Sequence, residues 1–114
     1  MLAKKFKLTG VKNFDRVQKA GKVYQSANFG IARFSRNDEA TSKFAFIVST
    51  KIAKDAVDRN RFKRAMSEAV RISSIDLKNG YDVVFLAKTS IARVPTSEVM
   101  KEVRVALKDS GLLK

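Results

Sequence analysis

The chain contains no cysteine and no histidine. That removes disulfides, thiolate nucleophiles, imidazole bases and the usual zinc ligands together. Carboxylates are scarce as well, 11 Asp and Glu against 24 Lys and Arg, and no Asp-x-Asp cluster occurs. Catalysis by the polypeptide would have to rest on carboxylates, Lys, Ser or Tyr. The sequence therefore offers no catalytic residues, no metal ligands and no cofactor of its own, and argues against an autonomous enzyme. No apolar run approaches the ~20 residues that span a bilayer. The opening Met1-Leu-Ala-Lys-Lys-Phe-Lys-Leu8 lacks the apolar core of a signal peptide. The expectation is a cytoplasmic protein with no membrane partner.

What is abundant is positive charge. A formal net charge of +13 on 114 residues, with a pI near 10.4, repels itself and works against the compact state unless a polyanion is near. Nucleic acid is the default polyanion for a small basic domain. Hydrophobic residues make up 45% of the chain, enough for one modest core, so residues 1–114 read as a single domain. Residues 1–7, with Lys4, Lys5 and Lys7, read as an irregular basic arm.

Val11, Phe14 and Val17 recur at helical spacing up to Ala20, with Gly21 placed to end the helix in a left-handed conformation. Two strands follow, over Lys22–Ser26 and Asn28–Phe34, then a polar loop over 35–42. Lys43–Ser49 is apolar except at its ends, which predicts a central strand covered on both faces. Asn79-Gly80 is a turn signal before a second apolar strand, Tyr81–Ala87. Thr96 is placed to cap a last helix whose stripe is Val99, Val103, Ala106 and Leu107, ending at Gly111. The order helix, three strands, helix, strand, helix (αβββαβα) defines an α+β sandwich on one small four-stranded sheet.

The remaining helix, from about Ala56 to Ser73, is the densest feature. Phe62, Met66, Ala69 and Val70 fall on one face, while Arg59, Arg61, Lys63 and Arg64 place four cations within six residues around the others. Like charges at i and i+4 repel, and cations near the amino end oppose the helix dipole. Asp55 as N-cap and Asp58 three residues on offer local relief in the manner of a capping box. The surplus cations suit an external polyanion, although a charge run alone equally describes a solvated face. Guanidinium grips phosphate bidentately, Lys supplies a mobile point charge, and Asn60 can meet a sugar hydroxyl or hold Arg59. Phe14, Tyr24 and Phe29 read either as core or as surfaces for stacked bases.

Arg59-Asn-Arg-Phe-Lys-Arg64, preceded by Val48-Ser-Thr-Lys51 and Ala56-Val57, resembles the signature of the bacterial ribonuclease P protein subunit. Leu8, Phe14-x-x-Val17, Gly21 and Asp82-Val-Val-Phe-Leu-Ala-Lys88 extend the likeness from about Leu8 to Leu107. The resemblance implies a mixed sheet with a left-handed βαβ crossover, against the usual right-handed rule. It implies a subunit of a ribonucleoprotein that cuts the 5′ leader from precursor tRNA, the catalyst being the RNA with its bound Mg2+. It implies RNA contacts from Lys51, Lys54, Arg59, Asn60, Arg61, Lys63, Arg64 and Arg71. A leader cleft between sheet and first helix would use Phe14, Tyr24, Phe29 and Lys88. The free protein is expected to be monomeric, with one copy per RNA. The chain departs from the family pattern at a spacer one residue longer between Lys51 and Ala56, with Ala53 in place of Gly. Ser67 replaces a common basic residue, and Gln18 and Ala32 replace frequent aromatics, which implies a shallower cleft or less stacking. The alternatives are a non-enzymatic RNA-binding module, such as a ribosomal protein, and, against the composition, a protein nuclease.

Overall fold

A computed structural model describes residues 6–114. Its elements are α1 (Val11–Ala20), β1 (Lys22–Gln25), β2 (Phe29–Ser35), β3 (Lys43–Ile47), α2 (Ala56–Ile72), β4 (Tyr81–Ala87) and α3 (Thr96–Asp109). The expected αβββαβα order holds. Two 3-10 turns, Ser74–Asp76 and Thr89–Arg93, flank β4; pieces this short carry no readable period. Lys4 and Lys5 of the expected arm lie outside the described residues. Lys7 is not irregular: it bridges Phe44 in parallel, and the Leu8 amide donates to the Phe44 carbonyl at 2.9 Å.

The four strands form one mixed sheet in the order β1-β2-β4-β3, with β1/β2 and β2/β4 antiparallel and β3/β4 parallel. The parallel pair is joined through α2, the crossover that the resemblance implies. β3 lies at an edge, not in the centre as its composition suggests. Its apolar character has another origin: α2 lies against it, and the Lys7–Leu8 segment follows its outer side.

Strand alternation sorts the side chains into two layers. Phe29, Ile31, Phe44, Val83 and Phe85 face α2 and α3 and pack with Phe62, Met66, Val70, Val99, Val103 and Leu107. On the opposite face Ala32 and Val84 meet Leu8 and Val17, with Phe14, Phe34, Ala45 and Leu86 around them. Among the described residues α1 is therefore the one helix on its side of the sheet, with Leu8 beside it.

One carboxylate ties that side together. Asp82, 1% exposed, accepts from Arg16 of α1 at 2.8 Å and from Arg36 at 2.8 Å. Arg36 also donates to the carbonyls of Ala40 and Thr41, which fixes the loop after β2. Arg16 lies over the Phe34 ring at 5.1 Å.

Two glycines have distinct reasons. Gly21 is extended, φ −75°, not left-handed as the sequence suggests. A Cβ there would come within 2.3 Å of the Val17 carbonyl oxygen and 2.8 Å of that of Arg33, so close approach of α1 to β2 requires it. Gly111 does take the left-handed form, φ +80°. Its amide donates to Lys108 and that of Leu112 to Leu107, the paired bonds of a Schellman ending. The helix starts differ from expectation: Pro95, not Thr96, is the N-cap of α3, and neither Pro95 nor Asp55 supplies a side-chain cap bond.

Phe62, 1% exposed, sits at the centre of the larger layer. Phe62→Ala is expected to destabilise the domain by roughly 3–5 kcal/mol. Asp82→Ala, which removes the buried carboxylate that Arg16 and Arg36 share, is expected to cost about 3 kcal/mol. Urea unfolding of both variants measures these losses, and near-wild-type midpoints would contradict this account of the packing.

Candidate nucleic-acid interface

α2 begins after an exposed loop. The amides of Ile52 and Ala53 both point to the Ser49 carbonyl, at 3.0 and 3.4 Å, forming a turn. Asp55 then enters the helix in extended conformation, φ −79°. Arg59 supplies what the caps do not. Its guanidinium donates to the Ala53 carbonyl at 2.9 Å and to the Lys54 carbonyl at 2.6 Å. The longer spacer, with Ala53 in place of glycine, is thus closed by a side chain of the motif itself. Asp58 forms no capping box; its carboxylate lies 3.7 Å from Arg61.

Beyond that loop the helix is two-sided. Phe62, Ala65, Met66, Ser67, Ala69 and Val70 are buried. Asn60, Arg61, Arg64 and Arg71 are exposed, and Arg59 and Lys63 half-buried. The cations have more internal partners than the sequence suggests. Arg71 holds Glu68 through three contacts between 2.9 and 3.2 Å. That hydrogen bonding keeps the Glu68 carboxyl well below the ordinary carboxylate range and raises the Arg71 pKa in turn. Arg61 pairs loosely with Asp58 and lies over the Phe62 ring at 5.0 Å. Lys51, Lys54, Lys63 and Arg64 have no anionic partner among the described residues. Ser67 is not a lost surface cation: it is 4% exposed, and its hydroxyl donates to the Arg64 carbonyl.

The four residues assigned to the leader cleft do not come together. Phe14 is half-buried on α1 and faces the sheet beside Phe34 and Leu86. Phe29 is fully buried on the opposite face, its ring centroid 5.6 Å from that of Phe85, and presents no surface to a base. Tyr24 shares that opposite face, packs against the larger core and donates its hydroxyl to Asp109 at 3.2 Å. Both are corrections with one cause: alternation places them on the side of α2 and α3. Lys88 donates to the Ser26 carbonyl at 2.6 Å and so holds the β1–β2 turn. Glu102 grips the same turn, accepting from the Ser26 hydroxyl at 2.5 Å and from the Asn28 amide at 2.9 Å. The sheet face shared with Phe14 instead carries Val23, Gln25, Leu86 and Ile47, with Gly30 buried beneath the Gln25 side chain. Gln18 is exposed on α1, while Ala32 is covered by Val17 and is not a surface position. Counting cross-strand alternation from Ala32 could have found this set.

A basic helix docked on a mixed four-stranded sheet, with a lone helix on the other face, is the architecture of solved ribonuclease P proteins. The chain superposes on the Staphylococcus aureus RNase P protein with a TM-score of 0.89 at 20% identity, covering 97% of this chain and all of that one. The Thermotoga maritima RNase P protein gives 0.80 at 23% identity, covering 90% and 96%. Sequence comparison carries the family further. The "Ribonuclease P protein component" of Caldanaerobacter subterraneus subsp. tengcongensis is 33% identical over 112 residues, 98% of this chain and 95% of that protein. That of Dehalococcoides mccartyi is 33% identical over 107 residues, 94% and 86%. The family model described as Ribonuclease P matches residues 2–111. The chain belongs to the bacterial ribonuclease P protein family. It is the protein subunit of an RNA-based endoribonuclease and binds the catalytic RNA and the precursor tRNA leader.

The two ends of the motif are expected to separate on mutation. Arg59→Ala, which frees two backbone carbonyls, should cost about 1.5–3 kcal/mol, since hydrogen bonds from a charged donor are being lost. Arg61→Ala should stay within about 1 kcal/mol of wild type, because exposed pairs contribute little. Thermal melts distinguish them, and equal shifts would remove the structural role given to Arg59.

Proposed function

We propose that the subunit divides its work between two surfaces. The α2 face and its preceding loop dock on the catalytic RNA through Lys51, Lys54, Asn60, Arg61, Lys63 and Arg64, with Arg59 holding the loop and Arg71 at the far end. The sheet face beside α1, with Phe14, Val23, Leu86 and Ile47, receives the unpaired leader. The observation that carries the reading is the set Lys51, Lys54, Lys63 and Arg64, four cations on one loop-and-helix element with no described anionic partner. In a chain of net charge +13 such groups are stabilised by phosphate. Activation of the hydrolytic water would fall to Mg2+ held by the RNA, and the protein contributes position and charge. The chain acts in the cytoplasm, as a monomer when free and as one copy per RNA.

Reconstitution with the matching RNA tests this directly. Precursor tRNA cleavage at low Mg2+ should rise when the protein is added, and no stimulation at any Mg2+ level would overturn the assignment. With about six phosphate contacts, log affinity should fall with log salt at a slope near −4 to −5. Arg61→Ala with Arg64→Ala should flatten that slope by about 1.5–2. Phe14→Ala should weaken the precursor while leaving mature tRNA unaffected, a difference that assigns the leader to the α1 face.

A further inference from the structure

We propose that the cavity between the β3 edge, the Lys7–Thr9 segment and α2 receives one unpaired RNA base, with the adjoining phosphate on Lys7 and Lys63. The cavity measures about 210 Å³ and its walls are mainly apolar, from Leu8, Phe44, Ala45 and Phe46. Phe46 packs on Phe85, ring centroids 5.1 Å apart, yet stays half-buried. Ser67 faces the same space as a small residue whose hydroxyl turns back to its own helix. Lys7 and Lys63 also line the cavity, and neither has an anionic partner among the described residues.

The strand edge supplies the polar groups. The Phe44 carbonyl points outward to Leu8. Strand geometry turns the N–H and C=O of Phe46, two residues on, to that same side. No described residue bonds to either group. One donor and one acceptor beside an aromatic ring match a nucleobase, which has flat apolar faces and a hydrogen-bonding edge. An added peptide strand would need a longer run of free edge groups. The Lys7–Leu8 segment already occupies the Phe44 side, so the free edge is too short for a strand. Lys63 belongs to the basic helix, which makes the cavity continuous with the proposed RNA face. The choice of RNA as occupant rests on that reading.

Amide NMR of the full chain, titrated with adenosine monophosphate, adenosine, inorganic phosphate and an extended peptide, tests the pocket. The expected result is a saturable shift of the Phe46 amide with the nucleotide, a weaker response to the nucleoside and the weakest to phosphate. Thr9→Trp, at an exposed lining position, should fill the mouth and lower nucleotide affinity at least about fivefold, as displacing one stacked base would. Its melting temperature should match wild type. A Phe46 amide unmoved by the nucleotide, or phosphate shifts that reproduce the nucleotide shifts, would overturn the proposal. So would a response confined to an extended peptide. Loss of RNA binding by the α2 face with the nucleotide response intact would overturn the docking reading alone.

Discussion

The Asp82 carboxylate and its two arginines set the geometry on which the rest of the molecule depends. A charge 1% exposed would be costly to bury alone, and removing either partner would leave it poorly compensated. With Arg16 from α1 and Arg36 from the loop after β2, it joins two separate stretches of chain to the central strand β4. That clamp fixes α1 on the sheet face that carries Ala32, Val84 and Leu86.

α2 solves the opposite problem. Its apolar stripe enters the larger core through Phe62, Met66 and Val70, which fixes the rotation of the helix and turns the charged residues outward. Some of those charges serve the fold before they serve a partner. Arg59 closes the loop and Arg71 is held by Glu68. Lys51, Lys54, Lys63 and Arg64 are left with surplus charge. The motif is therefore part scaffold and part contact surface.

Much of this was legible in the residues. The helix phase around Phe62 and the stripe from Val99 to Leu107 followed from period alone, because a strong period survives any tertiary context. The motif placed the family before any coordinates. Less legible were facts set by distant packing. β3 reads as central because both its faces are apolar, and no local signal shows that a preceding segment covers its outer side. β2 carries apolar residues at both parities, so which of Phe29 or Phe34 faces α1 depends on the crossover, not on neighbours in sequence. Tyr24 and Phe29 were misplaced for that reason. Gly21 was a correct boundary with the wrong cause, steric approach in place of backbone hand.

The grip of Glu102 and Lys88 on the β1–β2 turn has a consequence for behaviour in a crowded solution. β1 is a four-residue outer strand, opening on a lysine and anchored at its far end. The other outer strand is partly sheathed by the Lys7–Leu8 segment. Neither margin offers the long, flat, unpaired ribbon on which foreign chains aggregate. Both flanks of the sheet are thus guarded against edge-to-edge strand pairing.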